Sequence, residues 1–371
     1  MEKQSYVSPG QVIAALVITH LLYSTVHFLA LHAGRSIQDI LPAVLVAFAM
    51  NFVIALPLLA LLKRHQGKDP VECAANIFGR GAGAVTGIVY FFFFGCNAVL
   101  TQIVFRNYYV DAVVSEAKTY AIMLPLLAIV VYMVCKGFES IMRFGTIIFA
   151  IYALVMIVLV VTLIPSVRPS IGARFLFPLF FNGPGIFLHE LLSQFNQDMQ
   201  IVALAFCAPF LKSGVRLGKV FAKWNLLTFL MVFVLFTLCV VVLGPFGANQ
   251  MFPLQSLAAQ SSVSAFDRLD PLYAMSWMLN TVLTVALFTC LQVQCLEKMG
   301  FNKHRTARVI IVGLLNTVAV YILQGNEALA HAITLNWYWA AINLFVTIVL
   351  PLVLLIGDCI VRGRRAEHGM A

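Results

Sequence analysis

The chain has 371 residues, of which 61% are hydrophobic and 11% charged, with a formal net charge of +9. Soluble domains are about 45–50% apolar, so this composition excludes a soluble globular protein and indicates an all-α polytopic membrane protein. Long apolar runs in place of short alternating segments exclude a β-barrel, and the distribution of the positive charge, described below, accounts for it without nucleic acid.

Met1–Gly10 carries Glu2 and Lys3, and the first apolar run outlasts a signal-peptide core, so no cleavable signal is expected. With about 20 apolar residues per crossing, ten spans are predicted at roughly 10–31, 38–62, 82–114, 118–135, 143–164, 184–211 (broken), 220–244, 271–296, 307–324 and 335–360. The whole chain, 1–371, then forms one integral membrane domain. The eight cysteines include no Cys-x-x-Cys pair and sit mainly within or at the ends of apolar runs. They are read as small buried hydrophobes, with no metal or redox role.

Lys and Arg sort strongly between the loops, which sets orientation. With the N-terminus inside, one side collects Lys63, Arg64, Lys68 and Arg80, then Lys136 and Arg143, then Lys212, Arg216, Lys219 and Lys223. It continues through Lys298, Lys303, Arg305 and Arg308 to Arg362, Arg364 and Arg365, leaving only Arg35, Arg106, Lys118, Arg168, Arg174 and Arg268 opposite. Both termini are predicted cytoplasmic.

Two spans contain costly polar interruptions. The first reads Thr19-His20-Leu-Leu-Tyr23-Ser24-Thr25-Val-His27. The sixth reads Gln194-Phe-Asn196-Gln197-Asp198-Met, where Asp198 alone costs roughly 2.5–3.5 kcal/mol at the bilayer centre. Ten spans divide into halves at 9–164 and 183–360, and an odd number per half inverts the second. That is the arithmetic of a five-plus-five inverted-repeat transporter with broken helices 1 and 6 and a site between them.

Gln194, Asn196, Gln197 and Asp198 admit two readings: hydrated residues at headgroup level, or a ligand-facing break. In the second, amides and an acid near a half-helix terminus suit a zwitterionic ligand, and Asp198 binds an ammonium group or carries a proton. His189 and Glu190 precede the span and are assigned to the surface. Tyr23, Ser24 and Thr25 are candidates for the facing wall, although Ser and Thr in membrane helices often bond only to their own helix. His20 and His27 are either structural or proton-responsive. The third span adds Asn97, and the eighth adds Trp277 and Asn280. Thr281 and Thr284 are candidates for ion coupling beside His27 and Asp198. Asp358, four residues before Arg362, is read as a structural pair. No enzymatic constellation, cofactor motif or metal-ligand spacing is present.

Several stretches carry a family resemblance. Phe266-Asp-Arg-Leu-Asp-Pro-Leu-Tyr-Ala-Met-Ser-Trp277-Met-Leu resembles an Arg-Leu-Asp-x-Leu-aromatic-x-x-x-Trp signature of the endospore germination permeases. These are the B subunits of nutrient germinant receptors, within the amino acid–polyamine–organocation superfamily. Leu243-Gly-Pro-Phe-Gly-Ala with Phe252-Pro253, Lys136-Gly-Phe-Glu139-Ser-Ile-Met-Arg143-Phe and Val7-Ser-Pro-Gly-Gln11 are similar to other stretches of that family. The resemblance implies the ten-span inverted-repeat (LeuT-like) fold, with ligand binding between broken helices 1 and 6 aided by 3 and 8. It implies a small nutrient germinant such as an amino acid, A-type and C-type partner subunits, an ion path, and the spore inner membrane. Its acidic position in span six falls on Asp198. The chain departs from it in lacking Gly and Pro around Tyr23–Thr25 and in lacking a span-five lysine between Phe144 and Ile164. The alternative is an autonomous proton- or sodium-coupled amino acid transporter.

Overall fold

The computed structural model describes residues 6–30, 39–114, 116–167, 183–195, 197–248, 250, 252–261, 268–324 and 337–368. In chain order the helices are α1 (Pro9–Ala30), α2 (Ile40–Ile54), α3 (Leu56–Arg64), α4 (Pro70–Phe78), α5 (Arg80–Ala112), α6 (Thr119–Lys136) and α7 (Phe138–Leu163). They continue as α8 (Pro184–Phe195), α9 (Gln200–Cys207), α10 (Leu217–Leu238), α11 (Pro253–Ala259), α12 (Asp270–Lys298), α13 (Arg305–Gln324), α14 (Trp337–Leu344) and α15 (Leu350–His368). Single π turns at Cys239–Leu243 and Phe345–Val349 extend α10 and join α14 to α15.

Among the described residues, eight helices are long and apolar enough to cross a membrane, and two shorter apolar helices cover Pro9–Ser24 and Gln200–Phe210. These fall on the ten predicted segments. The expected break in the first span is corrected: α1 runs unbroken through Tyr23–Thr25. No Gly or Pro interrupts it there, and the Thr19 hydroxyl donates to the Ala15 carbonyl at 2.8 Å, inside its own helix. The sixth span does break. α8 stops at Phe195, Gln197–Met199 is non-helical, and Asn196 lies outside the described residues.

Burial separates central from peripheral helices. The span windows of α12 and α5 are 78% and 67% buried, against 28% for α6 and for α7, so the former make the core and the latter face lipid. α1 packs on α7, α10 and α12, and every residue of α9 is buried. An eight-residue helix apolar all round is stable only when enclosed on every side.

One end of the bundle is ionic. Asp358 lies 2.9 Å from Arg362, 3.3 Å from Arg64 and 3.1 Å from His65, so the expected Asp358–Arg362 pair is present and reaches α3 as well. The Val7 N–H donates to the Phe210 carbonyl at 2.9 Å, strapping the chain before α1 to the end of the sixth span. Phe210 in turn stacks on Phe138 with centroids 4.2 Å apart.

The helix α4, in a stretch read from sequence as loop, has a sequence signature that was there to be seen. Asp69 accepts from the Val71 and Glu72 N–H groups, Glu72 accepts from the Asp69 N–H, and Pro70 occupies the first turn. This is a capping box with Pro at N1. The turns Gly79 and Gly137 join α4 to α5 and α6 to α7 as single residues at φ +93° and +98°, a conformation that strongly favours glycine.

The α1–α7 crossing depends on Gly145. A Cβ there would sit 2.7 Å from the Ala15 Cβ and 3.0 Å from its Cα. Gly145→Val should therefore cost about 1–3 kcal/mol by overpacking, read as a lower unfolding midpoint of purified protein. Gly81→Val, where nothing lies within 4 Å, should melt close to wild type.

Candidate functional site

An Asp side chain disfavours the interior of a helix because it can compete with the backbone for its hydrogen bonds, and the break falls at Gln197–Met199. The Gln197 N–H donates to the Gln194 carbonyl at 3.0 Å and the Asp198 N–H to Phe195 at 3.2 Å, closing a tight turn. The Ile201 N–H then donates to the Asp198 carbonyl at 3.1 Å and opens α9. Asp198 therefore sits at the positive end of a half-helix dipole.

Around it lies a buried polar cluster drawn from four parts of the chain. Asp198 Oδ1 is 3.7 Å from His20 Nδ1 on α1, and that nitrogen is 3.3 Å from Gln200 Oε1. Asn51, on α2, is buried. It donates to Asn225 Oδ1 on α10 at 3.2 Å, and Asn225 donates to the Phe48 carbonyl at 2.9 Å. The His20 ring is flanked by Phe48 at 5.4 Å and, edge-on, by Trp224 at 6.0 Å. His20 and Asn51 each lie about 16 Å along their helices at 1.5 Å per residue, which puts the cluster at mid-depth. His20 Nε2, Asn51 Oδ1, Asp198 Oδ1 and Gln200 Nε2 are buried without hydrogen-bond partners.

A second grouping joins α1 to α5 and α12. The Tyr23 hydroxyl donates to the Asn97 carbonyl at 2.9 Å and meets the Thr101 hydroxyl, while its ring stands edge-on to Phe288. Tyr23 is thus a cross-helix tie on a continuous helix, not part of a break. Ser24 is buried with its hydroxyl unpartnered, as are Asn97 Oδ1 and Asn280 Nδ2. Thr284 donates to the Asn280 carbonyl at 2.9 Å and Thr281 to Trp277 at 3.1 Å, so both hydroxyl hydrogens are committed to their own helix. Trp277 packs in an aromatic group, with centroids 4.1 Å from Tyr108 and 6.3 Å from Phe105. Gln194 and Gln197 are buried. The side chains of Thr25 and His27 lie outside the described residues.

Two corrections concern the approach to the break. Glu190, assigned to the surface, is only 2% exposed, because α8 packs lengthwise on α2. Asn51, Asn225 and Gln200 were not singled out from sequence, although each is an intramembrane polar residue and therefore a functional candidate by default. Among the described residues there is no group of three or more His, Cys, Asp or Glu able to hold a metal.

The break also connects to the ionic end. Gln294 on α12 donates to Asp69 Oδ2 and to the Phe206 carbonyl at the foot of α9, both at 3.3 Å. Lys298 lies 3.8 Å from Asp69 and 2.7 Å from Glu72. Burial, then the neighbouring Glu72 charge, pushes the Asp69 carboxyl up from 3.8 to about 6.

A family model described as "Spore germination protein", the spore permease model, matches residues 6–328. The chain belongs to the spore germination permease family. A search of curated proteins returns no match. Solved structures that share the fold of this permease include two transport-protein neighbours. One is a Na+-coupled sialic acid symporter in a substrate-bound outward-open state, with TM-score 0.66, 9% identity and coverage of 94% of this chain and 89% of that one. The other is MhsT in complex with L-phenylalanine, with TM-score 0.61, 12% identity and coverage of 97% and 99%. Both are LeuT-fold transporters. Family and fold are those of membrane permeases rather than enzymes.

Asp69 yields a pH prediction. Its carboxyl binds a proton more tightly in the folded chain, so that contribution to stability is fully present below about 4 and lost as pH rises through about 6. Asp69→Asn keeps the cap and removes the titration. The unfolding midpoint of the variant, measured from pH 4 to 7, should change less with pH than that of wild type.

Proposed function

We propose that this chain binds a small nutrient of amino-acid type between α1, the break at Gln197–Met199, α5 and α12. Occupancy would be passed to an ion path together with A-type and C-type germinant receptor subunits. The observation that carries the reading is a set of buried polar atoms without partners: Ser24 Oγ, Asn97 Oδ1, Asp198 Oδ1 and Asn280 Nδ2. Each such atom costs about 1–3 kcal/mol when left unsatisfied, and together they belong to the helices around the break. A zwitterion supplies the complement. Its ammonium group suits Asp198, and its carboxylate suits the amino end of α9 and the Asn280 amide. Gln194, Gln197, Tyr23 and Trp277 are assigned to the same site, together with Asn196 and Thr25, whose side chains lie outside the described residues. The halves 9–164 and 183–360 supply the inverted frame, with both termini cytoplasmic in the spore inner membrane.

Binding shifts a conformational equilibrium only through a difference in affinity between the two states, and a ligand seated across α1 and α9 has that difference if the helices separate. The second reading, an autonomous proton- or sodium-coupled amino acid transporter, is favoured by the two structural neighbours: one is a symporter and the other was solved with an amino acid. Uptake into vesicles holding the chain alone separates them. Saturable accumulation without partner subunits supports the transporter, and binding without accumulation supports the receptor subunit.

The direct test is a thermal-shift screen of the purified chain against the common amino acids, since a ligand specific to the folded state raises its midpoint. At least one amino acid should raise the midpoint, and Asp198→Asn should weaken that effect about tenfold or more in concentration, corresponding to loss of a charged hydrogen bond. No shift with any amino acid, or an unchanged response in Asp198→Asn, contradicts the proposal.

A further inference from the structure

The His20–Asp198 contact has properties that nutrient binding does not require. A carboxylate at mid-membrane is normally neutralised by a fixed cation, a metal or a proton. Among the described residues, His20 is the basic group within ion-pair distance of Asp198. The other ionisable groups on neighbouring elements are remote or of the wrong kind. α11 contains none and α2 none within its span, with the buried Asp39 at its N-cap. Lys219 and Lys223 of α10 and Lys63 and Arg64 of α3 are exposed near the helix ends. α7 contributes Tyr152, with Glu139 and Arg143 paired at its start. α12 contributes Tyr273, Cys290 and Cys295, with Asp270, Glu297 and Lys298 engaged in ion pairs at its ends. α9 adds Cys207, α8 adds His189 and Glu190, and α1 itself adds Tyr23 and His27, the latter with its side chain outside the described residues.

We propose that His20 and Asp198 form a proton-binding site, holding one exchangeable proton between α1 and the break of the sixth span. With one proton the pair is neutral overall, whether the proton sits on imidazole or carboxyl. With none it is a buried anion and with two a buried cation, and either state costs several kcal/mol in an apolar interior. The surrounding groups accommodate both neutral forms. The Gln200 side-chain oxygen accepts from Nδ1–H, and Phe48 and Trp224, on the helices that Asn51 and Asn225 tie together, flank the ring. An imidazole nitrogen in the set disfavours sodium, a hard cation that prefers oxygen ligands. Because the two partners lie on different elements, hydration of the cluster when α1 and α9 part would release the proton to water. Proton binding itself is independent of the nutrient reading; only its coupling to a nutrient rests on that reading.

Trp224, edge-on to His20 at 6.0 Å, reports the event, because a protonated imidazole quenches indole fluorescence. The full chain in detergent is titrated from about pH 4 to 9, a range that brackets histidine titration, and the trace of Trp224→Phe is subtracted to isolate the Trp224 signal. We expect a one-proton transition in wild type, absent in His20→Gln. In Asp198→Asn it should be absent or displaced by more than about one pH unit, and exchanging sodium for choline should change nothing. A flat wild-type difference trace, the same midpoint in Asp198→Asn, or a midpoint that moves with sodium overturns the proposal. Should His20→Gln fail to fold, the wild-type difference trace, with and without sodium, still decides. No nutrient is added, so failure here and failure of the amino-acid screen are separate results.

Discussion

A polypeptide inside hydrocarbon must satisfy its backbone from within, and the rest of this molecule is arranged around the place where the sixth span leaves the helical ladder and closes a tight turn instead. At Gln197–Met199 the helical ladder is interrupted, and irregular backbone at that depth survives only where protein or a cavity surrounds it. The fold provides the surround. α9 is buried on all sides, α1 crosses against α10 and α12, and α2 closes on α8. The close α1–α7 approach at Gly145 and the Val7–Phe210 strap hold α1 in this arrangement.

The polar side chains divide accordingly. At mid-depth, His20, Asp198, Gln200, Asn51 and Asn225 link four segments by single contacts, with several atoms still unpaired. At the ionic end, Asp69, Glu72, Gln294 and Lys298 form a better satisfied network that touches the foot of α9 through Phe206. A movement of α9 would therefore disturb both, and Gln294 provides a physical path from the break to the loop helix α4.

Much of the architecture was legible because membrane physics leaves few options. Apolar runs fell on helices, and the cluster Gln194–Asp198 fell on the break because three consecutive polar residues cannot continue a lipid-embedded helix cheaply. The same logic misled at Tyr23–Thr25. Hydroxyl-bearing residues satisfy themselves across or within helices, as Tyr23 does with the Asn97 carbonyl, so a polar run without Gly or Pro does not imply a break. Glu190 was misassigned because nothing in sequence announces that α8 lies along α2. Asn51 and Asn225 were legible only one at a time; that they meet across 174 positions is a tertiary fact.

The central claim is that a small zwitterion occupies the region between α1 and the break. An experimental structure of the full chain with the amino acid that shifts its melting most would test it directly. The account predicts ligand density in contact with Asp198 and Ser24, flanked by Asn97 and Asn280. Density elsewhere, for instance in the cleft bounded by Leu127, Gly313 and Thr317, with the break untouched, would contradict it.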